Sequence, residues 1–477
     1  MSITERQWKG RRVTVAGLGS FGGQAAVARY FSSLGAIVTI TDTKPASELT
    51  RGLADIGDLG VRQVLGGHEV ADFVEADLIV ASPAMPRTSP FLLAAEAAGV
   101  PVTHEMDLFF ELCRAHIIGV TGSNGKSTTA ALLAHILRGH FESPSSRPHR
   151  RVWLGGNIGR SLLLEAPRIA QHDIVVLELS SFQLESLAAL SVSPQGAVVT
   201  NISPNHLDRH GTFEDYVRSK RCIARYQRQG DFLVLNADDN ILKGWRETPA
   251  RVVFFGSDES CGEKGVFVCG RNIVSINENT REEADVPAGW RLIGPHNLQN
   301  LAAACAAASC MGVALSEAAH EAGGFEGLPH RLEYVGTTGG VKFYNDSIAT
   351  TPEAASAALG SFAEPVVLIA GGYDKGADMA AFAQTAAHAA KALVVMGDTA
   401  RAIAGAAARA GTGIEIICAN GLGDAVRKAF ALAGPGAAVV LSPACASYDM
   451  FSNFQERGEA FAEEVARLVN SDTGESS

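Results

Sequence analysis

The stretch Thr121-Gly122-Ser123-Asn124-Gly125-Lys126-Ser127-Thr128 spaces glycine, lysine and hydroxyl side chains for phosphate chemistry. An apolar run, residues 116–120, precedes it, and a helical run, residues 130–137, follows it. Strand, glycine turn, Lys-Ser and helix in that order build a cradle. The glycines let backbone N–H groups point inward, and the new helix offers its positive end to an anion. Lys126 would reach the terminal phosphates of a nucleotide, and the Ser127 hydroxyl would sit on a magnesium ion. The spacing is T-G-x-x-G-K-S-T rather than strict GxxxxGK[ST], because Val120 stands where that pattern has glycine. The bland alternative is a glycine-rich turn with a chance Lys-Ser after it.

Three more groups could join this chemistry. Glu178 closes the apolar run 173–178, where a carboxylate can take magnesium or simply face solvent. The run 196–200 ends in Asn201-Ile202-Ser203-Pro204-Asn205-His206-Leu207-Asp208, so His206 is either a metal ligand or a solvated loop histidine. Lys220 follows Tyr216 by one helical turn, with Arg218 and Arg221 nearby. By residue type alone that reads as a solvated basic face. In the first third, Gly17-Leu18-Gly19-Ser20-Phe21-Gly22 follows the strand 12–16, and Asp42 lies at the offset of a dinucleotide fingerprint. A lone GxGxxG serves any phosphate–sugar ligand and does not specify a nicotinamide cofactor.

The elements needed to hold these residues are strands that alternate with helices. Strands at 12–16, 36–41 and 77–81, with helices at 24–34 and 90–98, make the first third a parallel sheet with helices on its faces. The middle third carries the phosphate loop and the strands ending at Glu178 and Asn201. It also has a Pro/Ser/Arg-rich loop at 143–151, expected to be exposed, short strands within 252–293, and an alanine-rich helix at 300–311. Candidate strands at 341–344, 365–370, 392–396, 414–418 and 437–441 give a second doubly wound sheet, and a helix closes the chain at 455–469. The expected architecture is α/β with three domains. Residues 1–113 would be Rossmann-like, 114–329 would be a central P-loop ATPase-type domain, and 330–477 would again be Rossmann-like.

With 477 residues, 47% of them hydrophobic, the chain can bury several cores. A net charge of −11 argues against wholesale nucleic-acid binding. Eight scattered cysteines without a CxxC pair suit a reducing cytosol. Residues 1–12 are too polar for an ordinary signal peptide, and no apolar run reaches the ~18 residues of a membrane helix. A cytoplasmic monomer is expected.

The motifs from Thr121 to Thr128, together with Gly155-Gly156-Asn157-Ile158-Gly159, Glu178-Leu179-Ser180-Ser181-Phe182-Gln183-Leu184, the stretch Asn201 to Arg209, Asn236-Ala237-Asp238-Asp239, Gly294-Pro295-His296-Asn297 and Gly327-Leu328-Pro329-His330-Arg331, resemble the Mur ligases in order and over nearly the whole chain. Tyr344 to Thr350, Gly371 to Gly376, Leu441 to Phe451 and Asn453 to Gly458 are similar to the branch that adds D-glutamate.

The resemblance implies ATP-dependent amide-bond formation between UDP-N-acetylmuramoyl-L-alanine and D-glutamate, through an acyl phosphate, in peptidoglycan precursor synthesis. It implies two magnesium ions held by Ser127, Glu178, His206 and Lys220, with Lys220 carbamylated, since an ammonium is a poor metal ligand. Gly122, Asn124, Gly125, Lys126, Ser127, Thr128, Asn297, Arg331 and Asp346 would hold ATP, with His330 beside them in a catalytic role. Ser20, Phe21, Asp42, Thr43, Lys44 and Asn157 would meet the UDP-substrate. Thr350, Lys375, Ser447 and Phe454 would hold D-glutamate. Ile348 stands where the branch often has lysine, and Ala84 where glycine is common. The competing readings are a sibling Mur enzyme or a folylpolyglutamate synthetase, an NAD-dependent oxidoreductase, and a non-catalytic nucleotide-binding regulator.

Overall fold

The computed structural model describes residues 7–19, 22–143 and 149–473. Ser20, Phe21 and most of the Pro/Ser/Arg-rich loop lie outside the described residues. The chain forms two compact units, Met1–Val286 with Gln299–Ala322, and Pro287–Leu298 with Gly323–Ser477.

The first unit holds two sheets. One consists of β1 (Arg12–Ala16), β2 (Ile37–Asp42), β3 (Arg62–Leu65), β4 (Leu78–Ala81) and β5 (Val102–Thr103), all parallel, in the order β3-β2-β1-β4-β5. Strand order reverses at β1, so a crevice is expected at the carboxyl ends of β1 and β4. The glycine turn after β1, Asp42 at the end of β2 and Ser82 after β4 all fall there.

The second sheet contains β6 (His116–Thr121), β7 (Val152–Gly156), β8 (Ile174–Glu178), β9 (Gly196–Val199), β10 (Phe232–Asn236), β11 (Arg251–Gly256), β12 (Gly265–Cys269), β13 (Asn272–Ile276) and β14 (Arg281–Asp285). Their order is β14-β13-β12-β11-β10-β9-β6-β8-β7, parallel from β7 to β12 and antiparallel at the last two pairings. Every residue of β8, β9 and β10 is buried, as expected for strands covered on both faces. Ile117, Val175, Leu177, Val199 and Leu233 point into one core layer. Helix Lys126–Phe141 packs on β6, β7 and β8. Each fully buried Leu, Ile or Val contributes roughly 1.5–3 kcal/mol, so the centre of this sheet is a rigid platform.

The second unit's sheet has β15 (Glu333–Thr338), β16 (Val341–Asn345), β17 (Val366–Ala370), β18 (Ala392–Val395), β19 (Glu415–Cys418) and β20 (Ala438–Leu441). Its order is β15-β16-β20-β17-β18-β19, parallel except for the antiparallel edge strand β15. The terminal helix, Phe454–Thr473, packs against β15 and β16.

Candidate active site

The turn after β6 is held open by two glycines. Gly122 has φ +148°, and a Cβ there would overlap Thr200 Oγ1. Gly125 is the left-handed N-cap of helix Lys126–Phe141, with φ 80°, and a Cβ there would overlap Asn300 Oδ1. Side chains from the end of β9 fix the rest. The Asn124 N–H donates to Asn201 Oδ1 at 2.9 Å, and Thr200 Oγ1 and Asn201 Nδ2 donate to the Asn124 carbonyl at 2.5 and 3.1 Å. Ser123 Oγ meets Tyr216 Oη at 2.9 Å and accepts from the Ser203 N–H at 2.8 Å. Lys126 Nζ donates to the Ser123 carbonyl at 2.8 Å, folding the lysine back over the turn.

Beside this cradle sit a buried acid and a buried amine. Glu178 is 2% exposed. Its Oε1 accepts from Asn157 Nδ2 at 3.1 Å, whereas its Oε2 is buried and has no hydrogen-bond partner among the described residues. An orphaned carboxylate oxygen at the end of a strand fits a divalent cation. Lys220 is also 2% exposed, which overturns the solvated-face reading. Its Nζ donates to Thr121 Oγ1 at 3.4 Å and lies 4.8 Å from the Tyr216 ring centre. Burial, reinforced by the Lys126 charge and opposed by Glu178, brings the ammonium pKa down to about 7. A large part of Lys220 is therefore a neutral, nucleophilic amine at neutral pH.

His206 is exposed, on a left-handed backbone turn with φ 53°. Its ring lies 5.6 Å from that of Phe182. Among the described residues no three His, Cys, Asp or Glu side chains converge as a metal cluster, so any cation site here rests on mixed ligands. His210, one turn on, stacks flat on Phe182 at 5.0 Å and bridges Ser181 Oγ (2.9 Å) and Glu185 (3.3 Å).

At the first sheet's crevice, Asp42 is buried and accepts from the Gly19 N–H (3.3 Å) and the Lys44 N–H (2.9 Å). Thr43 and Lys44 are exposed there. Asn157, expected at the sugar or pyrophosphate, is engaged with Glu178 through its amide.

In the second unit, polar residues collect at the carboxyl ends of β16, β17 and β20. Asp346 accepts from Ser442 Oγ at 2.7 Å and from the Leu332 N–H at 3.2 Å, and burial pushes its carboxyl up to about 6. His330 Nδ1 lies 3.0 Å from Asn345 Nδ2, and Arg331 next to it is exposed. Asn297 is buried, with its amide donating to the Ile293 carbonyl at 2.7 Å. Ser347 Oγ donates to the Phe454 carbonyl at 2.8 Å. Lys375 Nζ lies 5.6 Å from the ring of the exposed Tyr448, next to buried Ser447. Thr350 is half-buried on the segment after β16.

Sequence reasoning missed two residues that shape these ends. Asn300 accepts from Thr129 Oγ1 at 3.1 Å behind the phosphate turn. Arg457 is fully buried, its guanidinium donating to the Ser347, Cys445 and Ala446 carbonyls, and burial lowers its pKa to about 10. Asn300 was detectable as the next inward position, three residues after Asn297 on an alanine-rich helix. Nothing local marks Arg457 as interior.

Comparison with known proteins agrees with this layout. Residues 11–104 match the Mur ligase MurD-like N-terminal domain, 120–308 the Mur ligase middle domain, and 330–445 the Mur ligase glutamate ligase domain. The chain is 41% identical over 459 residues to the UDP-N-acetylmuramoylalanine–D-glutamate ligase of Pelotomaculum thermopropionicum, covering 96% of this chain and 98% of that protein. It is 40% identical over 477 residues to the ligase of the same name from a Roseiflexus species, covering 98% and 100%. Among solved structures, the UDP-N-acetylmuramate–alanine ligase of Thermotoga maritima shares the fold, with a TM-score of 0.58 at 19% identity over 96% of this chain and 100% of that one. So does the MurF ligase of Thermotoga maritima in complex with ADP, with a TM-score of 0.53 at 18% identity over 83% and 90%.

Proposed function

The chain belongs to the Mur ligase family, and we propose that it joins D-glutamate to UDP-N-acetylmuramoyl-L-alanine at the expense of ATP, the reaction for which its full-length relatives are named. It is an ATP-dependent carbon–nitrogen ligase of peptidoglycan precursor synthesis. The observation that carries the reading is the meeting of the phosphate turn, the unpartnered Glu178 oxygen and buried Lys220 at the carboxyl ends of β6 and β8 and on the helix beside them.

The reaction has two transfers. A carboxylate oxygen of the UDP-substrate attacks the γ-phosphorus of ATP, ADP leaves, and an acyl phosphate forms. The amine of D-glutamate then attacks the acyl carbon, phosphate leaves with the former carboxylate oxygen, and the amine gives up a proton. Phosphoryl transfer needs alignment and charge neutralisation more than covalent help. The N–H groups of the turn and Lys126 supply both for the phosphates. In our assignment, residues 1–113 take the UDP-substrate, 114–329 take ATP and 330–477 take the amino acid.

Magnesium bound there would neutralise phosphate charge, with Ser127 and Glu178 as ligands at one site and His206 and carbamylated Lys220 at a second. The depressed Lys220 pKa favours carbamylation, because only the neutral amine adds carbon dioxide. Gly122, Asn124, Gly125, Thr128, Asn297, Arg331 and Asp346 are assigned to the nucleotide, with His330 beside them. Asp42, Thr43, Lys44 and Asn157 are assigned to the UDP-substrate, as are Ser20 and Phe21 on sequence alone. Thr350, Lys375, Ser447 and Phe454 are assigned to D-glutamate, with the Lys375 ammonium opposite a carboxylate. We place the protein in the cytoplasm as a monomer. All eight cysteines are free, as suits a reducing compartment, and among the described residues no helix is long and apolar enough to cross a membrane.

Phosphate release with ATP, UDP-N-acetylmuramoyl-L-alanine and a panel of amino acids tests the reading. D-glutamate should far exceed L-glutamate, L-alanine and diaminopimelate. Equal or lower turnover with D-glutamate would refute it in favour of a sibling ligase.

A further inference from the structure

Arg209 ties the turn that carries His206 to the first sheet. Its Nη1 donates to the Ala84 carbonyl at 2.5 Å and its Nη2 to the Pro83 carbonyl at 3.0 Å. A guanidinium fork meeting two consecutive carbonyls fixes both direction and distance, which a lysine ammonium cannot do. The same guanidinium covers the Phe182 ring at 4.7 Å. Phe182 in turn carries His210 stacked on it and lies beside the ring of His206. The far side of the stack is anchored in the interior, where His210 meets Ser181 and Glu185.

The carbonyls that Arg209 grips belong to the loop leaving β4. That loop starts at Ser82, whose N–H donates to the Ala16 carbonyl at 2.8 Å and whose Oγ accepts from the Ala84 N–H at 3.3 Å. Ser82 also lies against the glycine turn of the first crevice, where a Cβ added at Gly17 would come within 2.8 Å of the Ser82 Cβ. One continuous path therefore runs from the Gly17 turn through Ser82 and Ala84 to Arg209, Phe182 and His206.

We propose that Arg209 is a positioning residue that couples occupancy of the first crevice by the UDP-substrate to the placement of His206. The inference rests on the ligase reading above and adds to it a residue outside the sets assigned there to the substrates and the metal. A ligand settling on the Gly17 turn fixes the Ser82–Ala84 loop. The loop fixes the guanidinium fork, and the fork holds Phe182 and the left-handed turn of His206 in register. The ATP cradle has its own braces in Thr200, Asn201 and Tyr216, and it meets this path where the Tyr216 ring lies edge-on to His210 at 5.3 Å.

The test is steady-state kinetics of the full-length protein with each substrate varied in turn, comparing wild type with Arg209→Ala and Arg209→Lys. The expected result for Arg209→Ala is a KM for UDP-N-acetylmuramoyl-L-alanine raised about tenfold and a lowered kcat, with the KM for ATP within about twofold of wild type. Arg209→Lys should fall between, because it keeps the charge and loses the fork. Constants for Arg209→Ala that match wild type would overturn the proposal. So would equal losses in every constant with no recovery in Arg209→Lys, which would mark a merely structural role. A wild type inert with all three substrates would instead refute the ligase reading and remove the premise.

Discussion

Replacing Lys220 by methionine should stabilise the protein while abolishing its activity, and the gain should depend on pH in a set direction. Lys220 releases its proton near 7 in the folded chain, against 10.5 for an unburied lysine. At 1.36 kcal/mol per pH unit, holding the ammonium in its buried site costs about 4–5 kcal/mol. Methionine has a similar length and no charge. After allowing for the long hydrogen bond to Thr121 and the lost attraction to Glu178, Lys220→Met should gain about 2–4 kcal/mol at pH 6.

Between 7 and 10.5 the unfolded chain binds this proton and the folded chain does not. Wild-type stability therefore rises with pH across that window relative to the variant. The advantage of Lys220→Met should shrink by about 2–3 kcal/mol between pH 7 and 9, since each pH unit is worth ~1.36 kcal/mol. Urea melts of both proteins in CO2-free buffer at pH 6, 7, 8 and 9 measure the difference, in which all other titrations cancel. A difference that stays flat, or that grows with pH, would refute the burial argument. Added bicarbonate should stabilise wild type and leave the variant unchanged.

The other acid and the cradle give two further expectations. Asp346 is raised from 3.8 to about 6, so its neutral form adds stability at low pH that is lost as pH rises through 6. Asp346→Asn should accordingly gain about 2–2.5 kcal/mol relative to wild type between pH 4 and 7.5, read from urea midpoints; a constant difference would contradict it. Gly125→Ala forces a side chain into a left-handed cap and onto Asn300. It should cost about 2–3 kcal/mol in thermal melts and weaken Mg-ATP binding at least tenfold by calorimetry; unaltered binding would mean that the turn does not cradle phosphate.

Much of the fold was legible because parallel strands covered on both faces read as continuous apolar runs. The run ending at Glu178 and the one ending at Asn201 are examples, and both deliver their polar ends to one crevice. The edge elements were less visible. β5 is two residues long, and β7 ends in two glycines, so neither carries a strand's signature.

By residue type alone Lys220 reads as solvated, because its helix, Phe213–Arg225, is crowded with charge. The correction was present in the periodicity, since Tyr216 and Ile223 share its face and both are buried. Asp42 was found by offset, and its two backbone donors could not be. Arg457 was beyond reach, because the carbonyls that solvate it come from segments about ten and more than a hundred residues away.

The acyl phosphate is the centre of the account, and oxygen tracing tests it most directly. UDP-N-acetylmuramoyl-L-alanine labelled with 18O in its terminal carboxylate is turned over with Mg-ATP and D-glutamate, and the released phosphate is weighed by mass spectrometry. One label per phosphate is predicted, because the carboxylate oxygen that attacks ATP departs with the phosphorus. Unlabelled phosphate alongside amide product would show that the carboxylate never takes the phosphoryl group, and would contradict the account.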